Sequence, residues 1–224
     1  MKYLRYFIIF SGLLCATPIL SQVTGEWLSA EAEFDLPKKF SIETSLEARA
    51  LNTGGIQFYK YFTQVGLNYK ISKRFDTALK YRFAWRLEEN MKYYYRYRLI
   101  ADLKFDYPAG RFSFDYRARF QRISKTYINS EFDRIPTMHF RNKLELSYDI
   151  PKNPIEPAIF FEAFSPLNGY KPGPFDEFRM GAKVKYPLKN KQSITGGIMY
   201  IHEQFETQLS GIIFVLDIKL PLSN

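Results

Sequence analysis

Long stretches of this chain alternate apolar and charged residues with a period of two, and few folds accept such a pattern. In 75–88 the odd positions are Phe75, Thr77, Leu79, Tyr81, Phe83, Trp85 and Leu87. Asp76, Lys80, Arg82, Arg86 and Glu88 share the even positions with Ala78 and Ala84. Successive strand side chains point to opposite faces, so this segment has one apolar and one charged face as a strand; a helix would scatter both sets around its circumference. The split recurs in 93–107, where Tyr93, Tyr95, Tyr97, Leu99 and Leu103 oppose Arg96, Arg98, Asp102 and Lys104. It recurs again in 112–121, 138–150 and 178–188, and earlier where Ile42, Leu46 and Ala48 oppose Glu43, Glu47 and Arg49. Weaker examples lie at 24–36, 61–71, 155–165, 192–202 and 209–220.

These segments are about 11–13 residues long, against about 5–6 for a soluble strand. Tilted strands of that length rise roughly 25–30 Å, the depth of a bilayer. Short turn-rich links (37–39, 72–74, 108–110, 151–154, 189–191) alternate with longer ones (53–60, 89–92, 126–137, 168–175, 203–208). That is the arrangement of an outer-membrane barrel. Tyr69, Tyr93, Tyr107, Tyr148 and Tyr186 sit near strand ends, where interfacial girdles belong. Eleven segments are countable, whereas single-chain bacterial barrels are even-numbered, so 10–12 strands are expected. Alternation alone cannot say which face points outward. A soluble barrel would turn its apolar face inward.

The N-terminus sets the compartment. Lys2 and Arg5 precede an apolar run from Tyr6 to Cys15, followed by the small-residue exit to Ser21. This is a secretory signal peptide, too short to span a bilayer. Cleavage after Ser21 divides the chain into a signal peptide, 1–21, and a single barrel domain, 22–224. The bulky Leu14 before Cys15 disfavours a lipoprotein signal. Removing the signal removes the only cysteine, and with it disulfides, thiol chemistry and Cys-ligated metals. Aromatic residues make up 18% and charged residues 25% of the chain, as suits a greasy exterior and a polar interior. The expected fold is therefore all-β, a closed antiparallel transmembrane β-barrel in the bacterial outer membrane.

Tyr81-Arg82, Arg96-Tyr97-Arg98, Tyr116-Arg117-Ala118-Arg119, Arg141, Pro157 with Glu162 and Phe164, and Phe178-Arg179-Met180-Gly181 fall on successive strands. In that order they resemble the outer-membrane barrels grouped as domain of unknown function 2490, common in Bacteroidetes, from Trp27 to about Val215. The resemblance implies the same barrel and supplies no activity.

If the apolar face meets lipid, the charged face lines the lumen. Its candidate lining is Arg82, Arg86, Arg96, Arg98, Arg117, Arg119, Arg141 and Arg179, with Glu43, Glu47, Glu145 and Glu162. Arginine pairs bidentately with carboxylates, so a salt-bridge lattice that largely plugs a narrow barrel is the first expectation. Eight strands are just filled by side chains and sixteen leave a channel. The alternative is a narrow, anion-leaning pore for small solutes, since rings of Arg and Lys select anions. The formal charge of +9 falls to +7 without Lys2 and Arg5, and part of the excess sits in turns facing lipid head groups. The two readings differ in whether Arg82, Arg98, Arg119 and Arg141 are all neutralised.

A barrel-embedded hydrolase is a third alternative and no enzyme is expected. The two histidines, His139 and His202, are far apart; His139 stands near Arg141 and Asp149 in the sequence, His202 beside Glu203. A nucleophile needs a base within hydrogen-bond reach. No cofactor motif or metal-ligand spacing occurs, so no cofactor or metal is expected. The basic residues alternate with lipid-type aromatics, which argues against nucleic acid. The expected partners are outer-membrane lipid and, during biogenesis, the insertion machinery; the oligomeric state is left open. The loop from Asn168 to Pro174 reads as an irregular surface loop and a candidate contact site.

Overall fold

The computed structural model describes residues 23–52, 54–168, 174–203 and 210–222. The signal peptide and its cleavage position lie outside the described residues, as do the centre of the 168–175 loop and most of 203–208. Eleven strands form one closed barrel: β1 (Val23–Asp35), β2 (Phe40–Asn52), β3 (Ile56–Lys70), β4 (Phe75–Leu87), β5 (Tyr93–Ala109), β6 (Phe112–Lys125), β7 (Thr137–Tyr148), β8 (Glu156–Pro166), β9 (Glu177–Pro187), β10 (Ser193–Glu203) and β11 (Ser210–Pro221). A short 3-10 turn, Glu131–Arg134, interrupts the link between β6 and β7.

Each strand pairs antiparallel with its sequence neighbours, and the barrel closes where β1 meets β11. An odd number of up-and-down strands must bring two strands of the same direction together at closure. The seam is accordingly parallel, from Val23↔Gly211 to Glu33↔Pro221. The odd count therefore stands, and the even-number expectation does not apply to this chain. On the other side of β1, Gly25 lets the backbone of β2 approach: a Cβ there would lie 2.6 Å from the Ala50 carbonyl oxygen.

The apolar face points outward. Leu46, Leu79, Leu144 and Ile159 are about 60% exposed on the outer surface, among many other large apolar side chains. At the end with the short links, the outer surface carries cross-strand ring pairs at hairpin bases: Phe40–Tyr69 at 4.7 Å, Phe75–Phe105 at 4.8 Å and Phe112–Tyr148 at 4.9 Å. Inside, among the described residues, a small apolar cluster forms around Trp27, Met199, Ile201 and Ile213. Phe62 and Phe164 are buried apart from it, and most of the other interior side chains are charged or polar.

Two links depart from expectation. The 53–60 link shrinks to three residues because β3 begins at Ile56, and the 149–155 link is seven long, so the alternation of short and long connections is less regular than the sequence suggests. A bulge explains the first departure. Arg49 pairs with Lys60 and Ala50 with Phe58, which leaves Tyr59 as the extra residue. The extra residue breaks the two-residue period where β3 starts. One short link is a type I′ turn: Asn190 and Lys191 have φ of 56° and 59°, and Gln192 N–H donates to the Lys189 carbonyl at 3.2 Å. That twist matches the strands it joins.

Candidate functional site

Among the described residues, two adjoining chambers of the interior carry most of the candidate lining. The first, about 430 Å³, occupies the middle of the barrel and the half nearer the long links; thirteen Lys and Arg side chains line it against eight carboxylates. The second, about 670 Å³, lies toward the short links and has the reverse balance, six carboxylates against three lysines. Ser29, Glu31, Lys183, Thr195 and Asp217 line both, so the chambers adjoin.

Alternation and register place the predicted residues. Arg82, Arg86, Arg98, Arg117, Arg119, Arg141, Arg179, Glu43, Glu47 and Glu162 all line the first chamber. Arg96 and Glu145 do not. Arg96 is buried and donates to Glu88 at 3.1 and 2.7 Å. Glu145 lines the second chamber and accepts from Lys143 and Lys183, each at 2.8 Å.

Several cations are closely matched by acids. Arg119 makes a bidentate pair with Asp102, 2.6 and 2.7 Å, with both side chains buried. Lys80 reaches both oxygens of Glu43 at 2.6 Å. Glu162 takes Arg117 at 2.7 Å and Arg141 at 3.0 Å on the same oxygen. Arg82 differs. Its Nε and Nη2 donate to the amide oxygen of Gln64 at 3.0 and 2.7 Å, and among the described residues no carboxylate lies within salt-bridge distance of it. Lys60 differs further: it is 6% exposed, lines the chamber, and has no ion-pair partner among the described residues.

Aromatic rings stand between the guanidinium groups. Arg82 lies 4.0 Å from the Phe62 ring centre, and Arg49 lies 5.0 Å from that ring and 3.4 Å from Trp27. Arg179 lies 4.9 Å from Trp27 and 4.6 Å from Phe164, and Arg141 4.1 Å from Phe164. The result is a ladder, Arg82–Phe62–Arg49–Trp27–Arg179–Phe164–Arg141, that crosses the closing seam along the chamber wall. Each cation–π contact is worth about 0.5–2 kcal/mol depending on desolvation. The rings hold like charges apart.

Residues 24–209 match the family described as protein of unknown function DUF2490. The chain belongs to the DUF2490 family. Among solved structures, a NanC porin in a rhombohedral crystal form has a similar fold, with a TM-score of 0.53 at 14% identity, covering 84% of this chain and 93% of that one. No curated protein matches the chain.

Both histidines of this DUF2490 barrel have partners that sequence proximity did not suggest. His139 Nε2 lies 2.8 Å from Asp176 Oδ2 in the wall of the first chamber. Asp149 is at the other end of β7, where its N–H donates to the Arg111 carbonyl, so it is no neighbour of His139. His202 turns outward; its Nδ1 lies 2.8 Å from Ser210 Oγ and its ring packs 5.0 Å from Phe178. The sequence reading missed Trp27, Phe62 and Phe164 as lining residues because apolar side chains on the polar face look like breaks in the pattern. It missed Lys60 because the bulge at Tyr59 hides the start of β3. Outside the strands, Asp133 organises the 126–136 link: its carboxylate accepts from Lys125, Ser130 Oγ and the N–H groups of Asn129 and Ser130 at 3.1–3.2 Å. Slight burial works to raise its pKa, but these bonds outweigh it and hold the carboxyl below the ordinary value.

Proposed function

We propose that this chain is an outer-membrane barrel of a Bacteroidetes-type, double-membraned bacterium and that its lumen is a narrow, anion-leaning pore for small solutes. The carrying observation is the arrangement of like charges inside. Arg49, Lys60 and Arg86 stand directly opposite one another across three strands. Arg82 stands opposite Arg98, Arg119 opposite Arg141, and Arg117 between Lys104 and Lys143. Like charges directly opposite on a sheet are destabilising. A lattice built only to fill the barrel gains by alternating signs in register. Rows of like charge beside an open chamber suit a mobile anion instead.

The outward apolar belt and its ring pairs support lipid as the surrounding medium, and exported barrels of this kind meet the insertion machinery during biogenesis. No enzymatic step belongs to the proposal. His139 serves as a member of the charged lattice, with Asp176 as its partner. The full barrel, refolded and inserted in a planar bilayer under a salt gradient, should open in steady steps with anion preference. Arg82→Glu should reduce that preference, and Arg82→Gln should reduce it by less. Insertion without conductance would overturn the pore and leave the plugged lattice.

A further inference from the structure

The structure assigns a binding site for the oxyanion group of a small solute, a carboxylate or a phosphate, to the Lys60 side of the first chamber. The inference deepens the pore reading and rests on it for biological purpose, although binding itself is separable from conduction.

The bulge at Tyr59 builds the site. It places both Tyr59 and Lys60 on the chamber wall, and bulges recur where a sheet must re-aim a side chain. Lys60 is then flanked in register by Arg49 on β2 and Arg86 on β4. Glu47, a nearby carboxylate, already pairs with Arg49 Nε at 2.5 Å. Next along β3 and β4, Arg82 is held by the neutral Gln64. Lys60 and Arg82 are therefore buried cations without a carboxylate at salt-bridge distance among the described residues, on neighbouring strands of one chamber.

Burying an ammonium without a counter-ion is costly. A bound oxyanion supplies the missing charge and accepts the donors. The chamber volume of about 430 Å³ falls in the range of small-ligand pockets, about 300–1,000 Å³. Trp27 sits under the Arg49 guanidinium at 3.4 Å, so an anion that draws on Arg49 changes the surroundings of a built-in fluorophore.

The other tryptophan, Trp85, is on the outer face against Phe83 and Tyr95. A Trp85→Phe background therefore reports Trp27 alone. The full barrel, refolded in detergent and checked for its folded band on an unheated gel, is titrated separately with succinate, inorganic phosphate and neutral glycerol. A saturable fluorescence change with succinate, with phosphate or with both, absent with glycerol, is expected. The anion that acts identifies the class. Lys60→Gln should raise the half-saturating concentration at least tenfold, and Lys60→Arg should largely restore it. Lys60→Gln removes a buried uncompensated charge, so loss of folding is not the expected cause of lost binding. No saturable change with either anion, or an unchanged titration in Lys60→Gln, would overturn the site. Conductance reads out the pore independently: a silent barrel that still binds sinks the pore and keeps the site, and a conducting barrel that does not bind does the reverse.

Discussion

Replacing Glu162 with glutamine keeps the shape of the side chain and removes the carboxylate that Arg117 and Arg141 share. Glu162 is 4% exposed and Arg141 6%, so water replaces little of what is lost. Two charge-assisted hydrogen bonds, at 2.7 and 3.0 Å, are each worth about 1.5–3 kcal/mol, which gives a gross loss of about 3–6 kcal/mol. Breaking a buried pair from one side costs about 3–5 kcal/mol by a separate route, because the surviving charge stays buried. The two figures agree. Arg141 also faces Arg119 directly across the β6–β7 ladder, so its like-charge neighbour is felt more once the acid is gone. Urea unfolding of the barrel in lipid vesicles, followed by tryptophan fluorescence, should show a lower midpoint with an unchanged slope. Adding Arg141→Gln should recover part of the loss, since the double variant leaves fewer buried charges unmatched. A loss below about 1 kcal/mol for Glu162→Gln would refute the buried-pair account and mean that water fills the chamber well enough to screen these arginines.

Two further outcomes follow from the faces and links of the barrel. Leu144, midway along β7 and 59% exposed on the outer surface, should tolerate arginine poorly in a bilayer. Leu144→Arg should cost about 2–4 kcal/mol there, measured by the same unfolding assay, and a cost near zero would mean that this face does not meet lipid. Asp133 should make the 126–136 link sensitive to acid. Its carboxyl lies below the ordinary Asp value of 3.8 when folded. The stabilisation is therefore fully present above about pH 4 and is lost as pH falls through the lowered folded value. Proteolysis of this link by an acid-active protease should accelerate only well below pH 3.8, and Asp133→Asn should cleave readily at higher pH.

The strands, their faces and the identity of most lumen residues were readable because a strand has a period of two and the apolar and charged sets seldom mix. In β4, β5, β6, β7 and β9 that rule sufficed, and ten of the twelve expected lumen residues share one chamber. Where the period broke, sequence reading failed for a local reason: one extra residue at Tyr59 re-phased β3 and concealed Lys60, the residue on which the binding site turns. Trp27, Phe62 and Phe164 were concealed differently. They are apolar residues on the polar face, and their purpose is visible only when arginines from other strands stack on them.

Period and length thus determined a barrel of long two-faced strands, since both are local properties of the chain. Closure decided the rest. It turned the apolar face outward, made the β1–β11 seam parallel because eleven is odd, and brought residues far apart in sequence into one ladder. It also determined which arginines found acids, because pairing across a lumen depends on barrel circumference and register, and neither is encoded in any single strand.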